Sequence, residues 1–342
     1  MNYSSLRQSA RVNLRDEVPL AYPLAIYVEP TNKCNFKCIF CPESFEDYSE
    51  LSGGFSQLNL DQWHLIATEI SSLTDGNGVK TLNFYMMGEP FINKQLLQFV
   101  SDAKERGLSD RVIITSNGSL VNSQIHQDLI DSGLDYLRIS VYGATEADQK
   151  ENTQTNISIS KIRDNLHGLF KLRNDMGSKK PYIYIKMIDQ LSPLKNNEFL
   201  ESFVDLADEV AIEPRMDWNS PEGANLAGVS RDDLVSSAYH KNTKSACPFP
   251  FYTLVIHADL QVSVCCVDWS KSLVIGNLKS NSLAEIWGGE KLRAIQLAHL
   301  NGLRNSIDAC KNCLYLYTAP DNLDSLGGKE FEARSATQRL EG

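Results

Sequence analysis

The chain has 342 residues, of which 42% are hydrophobic and 22% charged, the composition of a globular protein with room for one large or two modest domains. Its 33 basic and 43 acidic residues leave a net charge of -10, which argues against a nucleic-acid partner or an anionic membrane held by bulk charge. Residues 1–18 lack the apolar stretch of a secretory signal, and no run approaches the roughly 18 apolar residues of a membrane span, so a cytoplasmic location is expected.

Residues 24–28 form a short apolar run rich in strand formers and read as a first strand. A loop with three cysteines follows. Asn59 or Asp61 can cap a helix to about residue 73, and residues 74–78 are a turn cluster. A second strand spans 79–86, a helix spans 93–106 and Gly107 stops it. Strand three is expected at 111–115, a helix at 122–132, and strand four at 136–142. A helix at 160–176, strand five at 182–188 (broken only by Lys186 and Met187), a helix at 197–207 and strand six at 209–213 complete the series. Strands alternating with helices predict parallel βαβ units. Six units are too few for an eight-stranded barrel, so an open or partial barrel is expected. Its chemistry should gather at the C-terminal strand ends.

Residues 214–245 hold several prolines and glycines and read as a linker. A smaller domain then opens at Cys247. It should contain a hairpin, 251–256 with 261–264, and two short helices, 282–287 and 291–300. The tail from about Asp321 is polar and reads as loose.

Disulfides are rare in the cytosol, so eight cysteines need another use, and metal binding is the leading one. They cluster, with three at 34–41 and five at 247–313. Cys34, Cys38 and Cys41 have the spacing C-x3-C-x2-C. Three thiolates this close can hold three corners of an iron–sulfur cube and leave the fourth iron open to a small molecule. A structural zinc site would take four ligands and close itself. After strand two comes Met87-Gly88-Glu89-Pro90, whose carboxylate and carbonyls can accept hydrogen bonds from an ammonium group.

The cysteine triplet directly after strand one, with Phe40 before its third cysteine, resembles the radical S-adenosylmethionine (SAM) superfamily. The resemblance implies a partial (β/α)6 barrel over residues 24–213, after an N-terminal extension, 1–23. It implies that Cys34, Cys38 and Cys41 ligate a [4Fe-4S] cluster whose open iron is chelated by SAM. Reductive cleavage of SAM would then yield a 5′-deoxyadenosyl radical that takes a hydrogen atom from the substrate. Gly88, Glu89 and Pro90 resemble the family's G-G-E-P motif, with Met87 in place of the first glycine, and Glu89 becomes the expected partner of the SAM amino group. Ser116, Asn117 and Ser140 resemble positions that meet its ribose or carboxylate, and strand six resembles the place where adenine packs.

Residues 246–317 resemble the SPASM/twitch extension of these enzymes, a small α+β iron–sulfur domain, and residues 318–342 form the tail beyond it. The likeness rests on Cys247-Pro248-Phe249-Pro250, the run 259–268, Gly276-Asn277-Leu278, the run 282–287 and Cys310-Lys311-Asn312-Cys313. A full SPASM domain has seven cysteines and two clusters. Five are present here, which implies one auxiliary [4Fe-4S] cluster on Cys247, Cys265, Cys310 and Cys313. A four-cysteine zinc knuckle is the alternative. Cys265 is preferred to its neighbour by family register. Cys266 is then a buried small hydrophobe or a thiol acting near the substrate, and Asp268 is a proton acceptor in the substrate pocket or a solvated turn residue. The six histidines are scattered singly and receive no role.

The cysteine spacing is similar to that of radical SAM alcohol dehydrogenases. It implies a two-electron oxidation of a hydroxylated small molecule such as a sugar or cyclitol, with an external flavodoxin- or ferredoxin-type electron donor. The rival is peptide modification: epimerisation, crosslinking or sulfatase maturation. The few residues before strand one count modestly against a leader-binding domain. A non-catalytic iron–sulfur carrier or zinc adaptor is the alternative from another class.

Overall fold

The computed structural model describes residues 12–216, 226, 228, 230 and 244–341, with side chains up to residue 336. Most of the expected linker and the first eleven residues of the N-terminal extension lie outside the described residues.

Six strands arise where β-branched and aromatic residues concentrate: β1 (Ala25–Val28), β2 (Val79–Phe84), β3 (Ser109–Ser116), β4 (Tyr136–Val141), β5 (Tyr182–Ile188) and β6 (Glu209–Glu213). They pair in parallel, in chain order. The intervening helices, among them Leu60–Leu73, Leu96–Glu105 and Ile159–Asp175, bury their apolar faces with the strands in one core. Asn59 and Gln62 form a capping box at the start of the first of these. Within this layer Trp63 stacks on Phe99 at 5.4 Å, and its indole N–H donates to Asp102.

Alternation along the strands separates this core from the barrel interior. On β4, Leu137, Ile139 and Val141 join the main core. Tyr136 packs instead with Tyr184 and Tyr85, while Arg138 and Ser140 face an internal cavity. The register sets Arg138 beside Tyr184 and Ser140 beside Lys186 on β5.

The structure departs from the sequence reading in three places. A helix at Glu146–Thr153, capped by Thr145, follows β4. Its last carbonyls receive the cysteine loop: Lys37 N–H donates to Thr153 at 2.9 Å and Ile39 N–H to Asn152 at 3.0 Å. Second, the late hairpin builds no sheet of its own. β7 (Thr253–Ile256) pairs in parallel with β1, and β8 (Gln261–Ser263) and β9 (Val274–Asn277) extend the same sheet to nine strands. Third, the tail is not loose. Residues Gly328–Glu341 are helical, and Leu323, Leu326 and Phe331 are buried with Leu14, Val18 and Phe251 in a second core. Three apolar residues in a polar segment suffice to dock it.

Phe331 anchors that second core, edge-on to Phe251 at 5.6 Å and under the Arg293 guanidinium at 4.8 Å. Phe331→Ala should lower stability by about 3–5 kcal/mol, read as a lower midpoint in urea unfolding of the reconstituted protein.

Candidate cofactor and substrate site

The site lies at the C-terminal ends of the parallel strands, where three turns meet. Gly88 holds φ +74°, and a Cβ there would come within 2.5 Å of the Thr31 carbonyl oxygen and 2.7 Å of that of Lys33. Only glycine allows this approach between the turn after β2 and the cysteine loop. The next amide closes the junction, Glu89 N–H donating to the Lys33 carbonyl at 2.8 Å.

The Glu89 carboxylate, 1% exposed, ties in the turn after β3. One oxygen accepts from Ser116 Oγ at 2.8 Å and Phe91 N–H at 3.1 Å, and the other from Asn117 N–H at 2.7 Å. Burial pushes its pKa up to about 7, against the pull of these three donors. The Asn117 side chain donates to Asn35 at 2.9 Å, linking the same turn to the cysteine loop. Pro90 follows Glu89 in the same turn. It starts a short 3₁₀ turn, buried, and does not line the cavity. Its fixed φ sets the turn that aims Glu89.

Both cysteine groups are assembled. Cys34, Cys38 and Cys41 line a cavity of about 290 Å³ together with Gly88, Glu89, Ser116, Asn117 and Ser140. Cys247, Cys265, Cys310 and Cys313 line a second, smaller one. All eight cysteines are free thiols, and burial raises the pKa values of Cys34, Cys38, Cys41, Cys247, Cys265, Cys266 and Cys310. In five of the seven candidate ligands the sulfur accepts from the backbone N–H two residues ahead. Phe36 serves Cys34 at 3.4 Å and Tyr315 serves Cys313 at 3.3 Å. Glu43, Phe249 and Val267 serve Cys41, Cys247 and Cys265 in the same way. Such donors suit sulfurs that carry negative charge when metal is bound. Three of the candidate ligands line the first cavity and four line the second. A cube offers each thiolate its own iron, so its ligands stay apart. The donor sets therefore fit clusters.

The geometry separates Cys265 from Cys266. Cys265 joins the second cavity, whereas Cys266 faces the first, with its sulfur 3.3 Å from the Tyr315 hydroxyl. Asp268 is a turn residue, as one of its two readings had it, but it is buried and not solvated. It lines the second cavity, not the substrate-sized one, and its carboxylate accepts from Ser272 N–H and Oγ and from Leu273 N–H. Those bonds make it a turn anchor behind the second cysteine group.

Several cavity residues were not anticipated. Arg138 reaches in from β4, donating to Glu213 at 3.3 Å and to the Tyr85 hydroxyl at 3.4 Å. Lys186 donates to the other Glu213 oxygen at 2.7 Å, and the Tyr184 hydroxyl donates to Glu213 at 3.0 Å. Charges inside otherwise apolar strands were the available signal. Glu43, two residues past Cys41, also lines the cavity. Its pKa is pushed up to about 7 by burial, partly offset by Lys37.

Comparison with known proteins fits this geometry. Residues 28–177 match the radical SAM superfamily, and residues 247–314 match the SPASM iron–sulfur cluster-binding domain. The chain belongs to the radical SAM superfamily. As a radical SAM enzyme it uses SAM, a SAM-binding [4Fe-4S] cluster and an auxiliary [4Fe-4S] centre. A SAM-dependent 2-deoxy-scyllo-inosamine dehydrogenase from Niallia circulans is 24% identical over 84% of this chain and 91% of its own length. A PqqA peptide cyclase from Rhodopseudomonas palustris is 32% identical, but over 37% of this chain, and the match spans only about a third (31%) of the cyclase. Among solved structures, BtrN in complex with AdoMet and 2-DOIA aligns with a TM-score of 0.53 at 20% identity, covering 85% of this chain and 92% of its own. The anSMEcpe structure with AdoMet and the Cp18Cys peptide aligns at 0.56 and 14%, covering 93% and 98%. These structural likenesses speak to the fold. No helix among the described residues is long and apolar enough to cross a membrane.

Gly88→Ala should force the turn off the cysteine loop and weaken SAM binding by about tenfold or more, measured by equilibrium binding to the iron-loaded protein.

Proposed function

We propose that this enzyme dehydrogenates a hydroxylated small molecule, such as a sugar or cyclitol, to the corresponding ketone. The observation that carries this reading is the closed set of four thiols one side chain away from the cavity. Tyr315 lines both cavities, touching Cys313 through its N–H and Cys266 through its hydroxyl. When bound, SAM on the first cluster would supply a 5′-deoxyadenosyl radical to take one hydrogen atom, and a single auxiliary cluster would supply an acceptor for the second electron as the hydroxyl proton leaves to solvent. Cys34, Cys38 and Cys41 are assigned to the first cluster, and Cys247, Cys265, Cys310 and Cys313 to the second. The Glu89 carboxylate retains lone pairs for the amino group of SAM, and Ser140 is assigned to its ribose or carboxylate side. Ser116 and Asn117 act mainly by holding Glu89. An external flavodoxin or ferredoxin provides the reducing electron. The near end-to-end match to the inosamine dehydrogenase supports this substrate class.

Peptide modification is the second reading. It is favoured by the fold shared with SuiB bound to the precursor peptide SuiA, at a TM-score of 0.60, and by the shorter match to the peptide cyclase.

Anaerobic reconstitution should load about eight irons per chain; a load near half that would remove the auxiliary cluster. Alanine in place of Cys34, Cys38 and Cys41 should abolish 5′-deoxyadenosine release, and surviving release would overturn the assignment. Mass spectrometry of turnover mixtures should find a cyclitol or sugar two hydrogens lighter. A modified peptide in its place selects the second reading.

A further inference from the structure

Inside the barrel the cavity meets an arginine whose donors are largely unused. Arg138 sits on β4 with its side chain 19% exposed, and it lines the cavity. A guanidinium carries five N–H donors. Among the described residues Arg138 uses two of them, to Glu213 at 3.3 Å and to the Tyr85 hydroxyl at 3.4 Å. Both are long against the roughly 2.7–2.9 Å of a tight charge-assisted bond. Glu213 is held more closely by others, Lys186 at 2.7 Å and the Tyr184 hydroxyl at 3.0 Å. The rings of Tyr85 and Tyr184 steady the guanidinium instead, each centroid 5.9 Å from its central carbon. Thr115, its register partner on β3, also lines the cavity, and its hydroxyl has no hydrogen-bond partner. A wall of idle donors in a cavity of this size is a place that a ligand completes.

From this geometry we infer that Arg138 receives a carboxylate of the substrate. The inference rests on the small-molecule reading above and narrows it to a hydroxylated acid, such as a uronate. The planar fork of a guanidinium matches a carboxylate with two parallel bonds. Charge points the same way. Arg138, Lys186 and Arg215 line this end of the cavity. Glu213 bonds Arg138 and Lys186, and Asp189 is the carboxylate beside Arg215, whose Nε donates to the Asp189 carbonyl at 2.8 Å. One positive charge is left in excess, the complement of a monoanion. Glu209, farther back on β6, accepts from Tyr182 and does not line the cavity. Glu43 and Glu89 belong to the cysteine-loop end, held by Lys37 and by three donors respectively. Depth separates this place from SAM. Arg138 precedes Ser140 by two residues on β4, so it lies about 7 Å deeper than the strand ends assigned to the cofactor. A substrate anchored there by its acid group presents its far side to the cysteine loop.

The test is calorimetric binding to the iron-loaded, SAM-loaded protein. The probes are glucuronate, glucose, which has a hydroxymethyl group in place of the carboxylate, and glucose 6-phosphate. The wild type should bind glucuronate about tenfold or more tightly than glucose. Arg138→Gln should erase that preference while SAM affinity, measured without sugar, moves by less than about twofold. Arg138→Lys keeps the charge beside Glu213 but loses the fork. It should cut the preference by about threefold, and it carries the test if the first variant loses iron. A wild type without the preference, or either variant that keeps it in full, overturns the assignment. Tighter binding of glucose 6-phosphate than of glucuronate overturns the choice of a carboxylate. An Arg138→Gln protein that loses SAM affinity and weakens both sugars equally also overturns the assignment, because the guanidinium then serves SAM. If the preference is present and lost on substitution, but no ketone forms in turnover, the oxidation reading fails and the role of Arg138 stands.

Discussion

Everything at the site depends on the close approach of Gly88 to the cysteine loop. The backbone of one turn lies against the backbone of another with no room for a Cβ, and the Glu89 amide then locks onto Lys33. From there the buried Glu89 carboxylate reaches the turn after β3, so three strand ends are tied together. A carboxylate held by three donors has little freedom left, and that rigidity suits a residue that must meet a cofactor in one orientation. The cost is desolvation, visible in its raised pKa.

The two cysteine groups share a local device. In both, an N–H two residues ahead of a cysteine points at its sulfur, from Phe36 and Glu43 in the first group and from Phe249, Val267 and Tyr315 in the second. The surroundings differ. The first group opens onto a cavity lined by carboxylates, cations and tyrosines, whereas the second is wrapped in apolar side chains with Arg304 bonded to the carbonyls of Cys310 and Cys313. One centre is built to be approached and the other to be enclosed.

Much of this was legible in the chain because the signals are local. Strand and helix periodicity located the βα units, and spacing alone marked the cysteines. What escaped depends on contacts between distant segments. Nothing near residue 253 indicates pairing with residue 25. The docking of Phe331 depends on Phe251, a contact that exists only in three dimensions. Arg138 and Lys186 were readable as charges but not as partners of Glu213, since which face of a strand looks inward follows from the whole barrel. Of the two readings of Asp268, the turn residue matches its bonds, but its burial does not show in composition, since its donors come from the turn directly after it.

The pairing of β7 with β1 has a further consequence. A partial barrel leaves its first strand with one row of amides and carbonyls open, a template for pairing with another chain. Here the late segment occupies that row, and two antiparallel strands carry the boundary outward to β9, four residues long and followed closely by a capped helix. The iron–sulfur extension thus doubles as an edge guard. It shields the strand that carries the cysteine loop from aggregation, so the barrel's colloidal safety is tied to the same segment that holds the second group of thiols.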